Sequence, residues 1–565
     1  MCGFIITNNE IELKNYQNLL SHRGPDQLGF YKDENLKIIF NRLSIIDLNR
    51  RSNQPIKYRN YLIVFNGEIY NYIELKKELK EVGYKFKTTS DTEVLLYSYL
   101  HWGKESLKKL EGMFVFSIYN TKNKEIFIAR DRFGIKPIFY FIRGQKFIIA
   151  SEKKAIFGMG VKKEINKEAL GNYLVNGVYQ NDKYTFYKNI YSLEPGYCME
   201  ISNNKITKYQ WFNFKAKTNR LIKYNDAKSE LNFLLNKSIN YCLRSDKNIA
   251  VATSGGVDSS AIIYKLMENN NSIITSLVHW TCDDENDEQF YAKKLSQKIN
   301  KKLTVSHFKK NDFFKYLNKC IESIEEPFGG LAIMLSTKTF EKLKKEKIRV
   351  LLDGNGADEI LGGYKHHINA FNNNSLNYNV QPVQGLIINF PSNIFKKKNF
   401  AKLNKFKIKK KFNDPLKDSM FNDLTGSKLR RTLLQQDHNS MSCSIETRFP
   451  WLNNDLVNFC FSLPNNFLIN KNIGKYILRD TINEKLMWLP KRPAQTPQTK
   501  WMREFILKEI FQKLKNDDIF FDLNIFDKKN LIKELNLWLN SKIENSVFPW
   551  YFLTSYFFIK KNIIN

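Results

Sequence analysis

The chain has 565 residues, 42% of them hydrophobic and 26% charged, the proportions of an ordinary globular protein, which exclude wholesale disorder and collagen-like repeats. At roughly 100–200 residues per domain, this length predicts about three or four domains, or two large ones. Lys and Arg number 89 against 57 Asp and Glu, a net charge of +32; this excess attracts anions in general, but no aromatic-interleaved RNA-binding pattern accompanies it, so it reads as solvated surface with no nucleic-acid partner.

The N-terminus reads MCGFIITNNE, with no basic segment followed by an apolar one, so no secretory signal is expected. No run approaches the roughly 18 consecutive apolar residues of a membrane span. The seven cysteines stand at 2, 198, 242, 282, 320, 443 and 460 without a Cys-x-x-Cys. Neither a disulfide framework nor a zinc site is indicated, and reduced thiols fit a cytoplasmic protein. The densest basic segment, Phe395 to Phe412, is expected at the surface.

In chain order, Leu62–Phe65, Met113–Ile118 and Glu125–Ala129 are short β-branched and aromatic runs bounded by turn residues, which predict strands. Tyr72–Val82 and Thr92–Trp102 carry helical periodicity between them. The first 200 residues therefore predict α+β layers. The character changes after Trp211, and the polar stretch 203–225 is the expected boundary. Residues 224–243 predict an amphipathic helix. A strand over Asn248–Thr253 follows, then a Gly-rich turn and a helix from about Asp258; a second apolar strand, Ile348–Leu352, runs into another Gly-rich turn. Strand, turn and helix in succession predict a parallel α/β sheet, with a mostly helical region from 420 onward.

Cys2 follows the initiator Met, and a small second residue predicts removal of Met1. A thiol beside its own α-amine is nucleophile and base in one residue, since the amine titrates near roughly 7.7–8.0 and takes the thiol proton at neutral pH. With Cys2 stand SHRGPD (21–26), RLSIID (42–47), FNGEIYN (65–71), SDTE (90–93) and ARDRFGIKP (129–137). In this order the segments resemble the class II glutamine amidotransferase domain, over residues 2 to about 200. The resemblance implies an N-terminal nucleophile αββα sandwich and a set of roles. Cys2 attacks the glutamine amide and releases ammonia. Arg42 forks onto the α-carboxylate, Glu68 and Asp91 take the α-ammonium, and Ile46 also contacts glutamine. The Asn66 side chain and the Gly67 N–H hold the oxyanion, and glycine at 67 allows close backbone approach. Arg23 and Asp26 are expected to shape their loop.

SGGVDS (254–259) follows the first predicted strand of the second half and opens a helix, so backbone N–H groups and the helix terminus can converge on an anion. No Gly-Lys-[Ser/Thr] follows, so it is not a Walker loop. It resembles the pyrophosphate loop of ATP pyrophosphatases, which cut ATP between the α and β phosphates. The second loop is DGNGADE (353–359), then LGGY (361–364); further on stand Asp437, ETRFP (446–450) and GKYILR (474–479). Together these resemble the glutamine-hydrolysing asparagine synthetase family over nearly the whole chain. The resemblance implies a Rossmann-like α/β sheet with a helical C-terminal part, ATP and Mg²⁺ as cofactors, and domains of 2–205 and 225–565. It places Thr253, Ser254, Gly255, Gly256, Asp258, Ser259, His279, Asp353 and Gly354 at ATP, partly by backbone. Asp258 and Asp358 fall on Mg²⁺, and Lys491, in the register set by Pro497 and Trp501, beside the phosphates. The His279 side chain is expected to be a packed or exposed one.

Three features depart from the family pattern. Its second loop usually reads Ser-Gly-Glu-Gly, so Asn355 replaces a glutamate tied to the acyl-adenylate and ammonia steps, and an amide cannot act as a base. Residues 491–497 replace a Gly-Phe segment near the acceptor pocket, and Asn439 replaces an arginine. Either Asp353 or another carboxylate substitutes, or the acceptor differs. The leading expectation is aspartate, glutamine and ATP giving asparagine, glutamate, AMP and pyrophosphate, with ammonia carried inside the protein. The rival is the same architecture amidating another carboxylate, such as a sugar acid. No membrane partner is expected, and a homodimer is compatible with the sequence.

Overall fold

The structure is a computed structural model that describes residues 2–203, 205–268, 273–282, 289–374, 391–396, 409–489, 496–543 and 545–564. The first unit contains twelve strands: β1 (Gly3–Thr7), β2 (Gln27–Lys32), β3 (Lys37–Arg42), β4 (Ile56–Tyr58), β5 (Tyr61–Ile69), β6 (Gly112–Asn120), β7 (Glu125–Arg130), β8 (Phe139–Arg143), β9 (Lys146–Ala150), β10 (Ile190–Ser192), β11 (Tyr197–Ser202) and β12 (Lys205–Gln210). They form two antiparallel six-stranded sheets, ordered β10-β8-β9-β1-β3-β2 and β12-β11-β7-β6-β5-β4.

Side chains alternate across a strand, and here both faces are buried. Phe4, Ile6, Ile38 and Phe40 of the first sheet meet Leu62, Val64, Val115 and Ile128 of the second. Outward, Phe65, Phe114 and Phe116 pack under helices Tyr72–Glu81 and Asp91–Trp102. On the opposite side Ile5, Ile39 and Ile148 pack under helices Lys153–Gly158 and Lys167–Asn176. The result is the expected αββα sandwich. It runs past residue 205, because β12 pairs with β11 along its whole length.

The second unit is built on five strands, β13 (Ile249–Ala252), β14 (Ile274–Cys282), β15 (Lys302–Phe308), β16 (Val350–Leu352) and β17 (Glu446–Arg448), all parallel in the order β15-β14-β13-β16-β17. The order reverses between β13 and β16, and ligands of open α/β sheets bind in the crevice outside the strand carboxyl ends at such a switch point. SGGVDS follows β13 and DGNGADE follows β16, so both Gly-rich loops open onto this crevice.

The two units share a core. Tyr173 of the sandwich donates its hydroxyl to Phe328 O at 3.0 Å and stacks on Tyr551 at 4.4 Å between ring centres. Among the described residues, no helix is long and apolar enough to cross a membrane. Lys409, Lys410 and Lys411, the described end of the basic segment, are exposed.

Candidate active site

Cys2 sits immediately before β1, in the middle of the first sheet, and is buried. One cleft brings it together with Arg42 and Ile46, with Gly67 and Glu68 of β5, and with Asp91. Asp91 opens its helix behind Ser90, whose Oγ accepts from Thr92 N at 3.2 Å and caps it. Leu43, Ser90 and Thr92, quoted in the sequence only as parts of their segments, also line this cleft, as does Gln54, which no motif marked.

Cys2 N–H donates to Asn66 Oδ1 at 3.1 Å, and Asn66 Nδ2 is buried with no hydrogen-bond partner. A buried donor left unsatisfied costs about 1–3 kcal/mol, so this one is held ready for an acceptor that arrives. Asn66-Gly67 is no hairpin turn: it lies inside β5. Gly67 has φ +150°, and a Cβ there would come within 2.0 Å of Met113 O on β6. The close approach that demands glycine is therefore to the neighbouring strand. Burial raises the Cys2 thiol above its usual range, and Arg42 is among the groups that oppose this.

Arg42 departs from the simple picture of a free fork. Its Nη1 donates to Asn49 O and Asn53 Oδ1 at 3.3 and 2.9 Å, and Nη2 to Ile46 O and Asp47 O at 3.3 and 2.6 Å. Both Nη groups brace the 46–53 loop. Glu68 and Asp91 do converge. Asp91 Oδ2 accepts from Ile69 N at 3.0 Å, and burial pushes its carboxyl up to about 6. Burial, then Glu446 and Asp91, raise Glu68 well above the usual carboxylate range, while Arg448 opposes them from 3.6 Å. A pair of buried carboxyls short of positive charge suits an incoming ammonium.

Arg448 was legible only as part of a motif. Its Nε pairs with Glu446 at 2.6 Å, and its Nη1 donates to Cys242 O and Arg244 O at 2.8 and 2.7 Å. Arg23, expected to shape a loop, does more. Its Nε holds Cys2 O at 3.0 Å, and its other nitrogens pair with Glu152 at 2.7 Å and with Asp437 of the second unit at 2.9 Å. Asp26 keeps its loop role, accepting from Ser44 N at 2.8 Å. Asn439 accepts from Ser323 Oγ at 2.6 Å.

At the switch point, Ser254 Oγ accepts from Gly256 N and Ser259 Oγ from Ser254 N, at 3.2 and 3.3 Å. Gly255 has φ +72°, and a Cβ on it would lie 2.5 Å from Tyr291 Cβ. A Cβ on Gly354 would sit 3.2 Å from Ser259 N, so the two loops touch. Thr253 Oγ1 is buried without a partner. His279 is a packed side chain, its Nδ1 donating to Thr253 O at 2.8 Å.

Lys475 lies between Asp258 and Asp358, with Nζ 2.5 and 2.6 Å from their oxygens. Burial alone would lower its pKa, but the two aspartates more than reverse this and raise it. Two carboxylates aimed at one cationic point are a donor set that suits a hard divalent ion. Lys491 lies outside the described residues, as does most of the departing segment around it; the lysine that the structure places at this site is Lys475, which sequence reading quoted and left without a role.

Asp353, at the end of β16, donates its N–H to Arg448 O at 2.9 Å. Its Oδ1 accepts from Asn355 N and Nδ2 at 2.8 and 2.6 Å, and its Oδ2 from Gln436 Nε2 at 3.0 Å. Burial pushes this carboxyl up to about 6 despite those bonds.

Comparison with known proteins gives two family matches, a glutamine amidotransferase domain over residues 1–212 and asparagine synthase over residues 230–556. Asparagine synthetase (glutamine-hydrolyzing) 1 of Bacillus subtilis strain 168 is 34% identical over 386 residues, 64% of this chain and 59% of that protein. Asparagine synthetase (glutamine-hydrolyzing) 3 of the same strain is 27% identical over 499 residues, 82% of this chain and 80% of its own. In the first of these alignments the chain spans less than two thirds of the relative's length. With both matches in the order of the two units, the chain belongs to the asparagine synthase family.

Proposed function

We propose that this protein is a glutamine-dependent asparagine synthetase. Its first unit, residues 2–205 with β12 added, removes the amide nitrogen of glutamine. Its second, residues 225–565, joins that nitrogen to the β-carboxylate of aspartate after activation as an AMP ester.

At the donor site the α-amine freed by loss of Met1 accepts the Cys2 thiol proton, and the sulfur attacks the glutamine amide carbon. The oxygen gains charge where Asn66 Nδ2 waits without a partner, so the donor acts mainly in the transition state. Glu68 and Asp91 take the α-ammonium. Arg42 holds the loop that closes the cleft, with its guanidinium at the carboxylate end.

At the acceptor site the loop after β13 and the start of helix Val257–Glu268 offer backbone N–H groups to the ATP phosphates. Asp258 and Asp358 would hold Mg²⁺, which supplies charge neutralisation at the departing pyrophosphate when bound. Lys475 adds a positive charge from the protein at the same place.

One observation carries the reading that the two sites work together. Arg448 reaches Glu68 in the donor cleft with its side chain and holds the Asp353 N–H with its carbonyl. On the residues of this connection Asn66 Nδ2, Glu68 Oε2, Arg448 Nη2 and Thr447 Oγ1 are buried and make no hydrogen bond, Arg448 Nη2 being the atom that pairs with Glu68 at 3.6 Å. An ammonia path through them keeps the nucleophile from becoming ammonium in bulk water.

The test is product analysis with ATP, Mg²⁺, amide-labelled glutamine and a panel of carboxylic acids. Aspartate should give labelled asparagine with AMP and pyrophosphate in equal amounts. Amidation of another acid in place of aspartate overturns the acceptor, and ADP in place of AMP overturns the chemistry.

A further inference from the structure

Asp353 and Asn355 stand two residues apart on the loop after β16, joined by hydrogen bonds, and only Asp353 has an ionisable side chain. Three amide N–H groups fix its carboxylate: the N–H and side chain of Asn355 on Oδ1, and Gln436 on Oδ2. An ionised carboxylate has about four lone-pair sites, so one remains, on Oδ2. The residue is half-buried, on the loop that follows β16 at the switch point.

Its place in the fold is specific. Two chains of contact run from the donor cleft and both end here. One passes from Glu68 through Arg448, whose carbonyl holds the Asp353 N–H. The other passes from Cys2 O through Arg23 to Asp437, the neighbour of Gln436, whose amide holds Asp353 Oδ2. Asp353 is thus the carboxylate of the acceptor loop that both chains of contact reach.

We propose that Asp353 is the base of the nitrogen-transfer step, with Asn355 as the residue that positions it. This rests on the amidation reading above. Ammonia donates a hydrogen bond to Asp353 Oδ2 while its lone pair attacks the acyl carbon of the activated acid. As the C–N bond forms, the nitrogen gives one proton to Asp353. The tetrahedral intermediate then breaks its C–O bond to phosphate, and AMP leaves with the electron pair. Asp353 returns its proton to solvent before the next turnover. Asn355 cannot take the proton, since an amide is no base; its two N–H groups hold Oδ1 so that Oδ2 faces the crevice.

The experiment compares wild type, D353N and the transposed pair D353N/N355D, with aspartate and the acids of the panel. Two rates are read for each: acid-dependent exchange of labelled pyrophosphate into ATP, which reports activation, and amide formation from ammonium chloride or glutamine. Glutamine hydrolysis at Cys2 reports folding in all three. The expected result is that D353N lowers the ratio of amide formed to exchange at least tenfold with either nitrogen source. The transposed pair, which returns a carboxylate to the loop, recovers at least threefold of that loss. A ratio that stays at the wild-type value in D353N, both rates falling together, overturns the assignment, and so does a transposed pair no better than D353N. Wild type with no acid-dependent exchange overturns the amidation reading, and this assignment with it; normal exchange with an unchanged ratio overturns the assignment alone.

Discussion

Asn66 accepts from the Cys2 N–H with its oxygen at 3.1 Å while its own amide nitrogen, buried in the same cleft, has no acceptor. One side chain thus holds the Cys2 N–H and keeps a free donor beside it, which on the proposed reading meets the charge of the oxyanion. Asn66→Ala should lower kcat for glutamine hydrolysis by about 10²–10³-fold, the usual cost of one oxyanion donor, with a much smaller change in KM. Steady-state glutamate release checks it. A loss confined to KM would place Asn66 in ground-state binding and remove it from the oxyanion site.

On the proposed reading, Arg448 and Glu68 should set the pH behaviour of glutamine binding. Burial, Glu446 and Asp91 raise the Glu68 carboxyl, and Arg448 lowers it. An ammonium needs the ionised form, so binding weakens as pH falls through the pKa of the cleft carboxyls, which for Asp91 is about 6. Without Arg448 the Glu68 pKa rises further, and the weakening begins at higher pH. Arg448→Met should therefore raise the glutamine KM at least tenfold at pH 7 and shift its pH dependence upward. Because Glu446 also loses its partner at 2.6 Å, the variant should lose stability by about 3–5 kcal/mol, the cost of an abandoned buried charge. Glutamine KM across pH 5.5–8.5 and thermal unfolding check both parts; a KM profile that does not move would separate Arg448 from the donor site.

What could be read in advance divides along physical lines. The α+β layers followed from β-branched and aromatic runs such as Met113–Ile118, the αββα order only from the family resemblance, and the two Gly-rich loops from their places after apolar strands, because burial and backbone freedom leave local marks. β17 left none. Glu446-Thr447-Arg448 carries two charges, and it is a buried strand only because Arg448 pairs with Glu446 and donates to the carbonyls of Cys242 and Arg244. Lys475 was hidden for a related reason. Nothing around position 475 shows that Asp258 and Asp358, separated from it by over a hundred residues, converge on its ammonium. The sandwich runs past 205 because the polar run Lys205–Gln210 pairs as an edge strand, half-exposed and so without an apolar signature.

Lys475→Met should abolish acid activation. The two aspartates would lose the cation that now lies 2.5 and 2.6 Å away, and the phosphates would lose the one lysine the described residues place between those carboxylates. A drop of at least 10²-fold in acid-dependent pyrophosphate exchange is expected, from lost stabilisation of developing charge. A second consequence distinguishes charge from shape: with the lysine gone, Asp258 and Asp358 should bind Mg²⁺ or Mn²⁺ more tightly in the absence of ATP, measured by titration calorimetry. Unchanged metal affinity together with unchanged exchange would remove Lys475 from the site.

Lys417 provides a stability test at a side chain that takes no part in either reaction. It lies fully buried in helix Pro415–Thr425, its Nζ donating to Cys460 O at 3.3 Å. Burial lowers its pKa from 10.5 to about 7, with Asp414 and Cys460 opposing. Between those two values the unfolded chain binds a proton that the native protein does not, so Lys417 makes native stability rise with pH across this window, by roughly 1.4 kcal/mol per unit. Below pH 7 the whole cost of the buried charge is present; by pH 10 most of it is gone. Lys417→Met keeps the apolar stem beside Phe461 and removes the titrating group. The variant should therefore melt above wild type at pH 6.5, and the gap should close steadily by pH 9.5. Thermal unfolding at the two pH values, with the same buffers for both proteins, measures this directly. A variant that is less stable at pH 6.5 would show instead that the Nζ–Cys460 contact outweighs the cost of burying the charge.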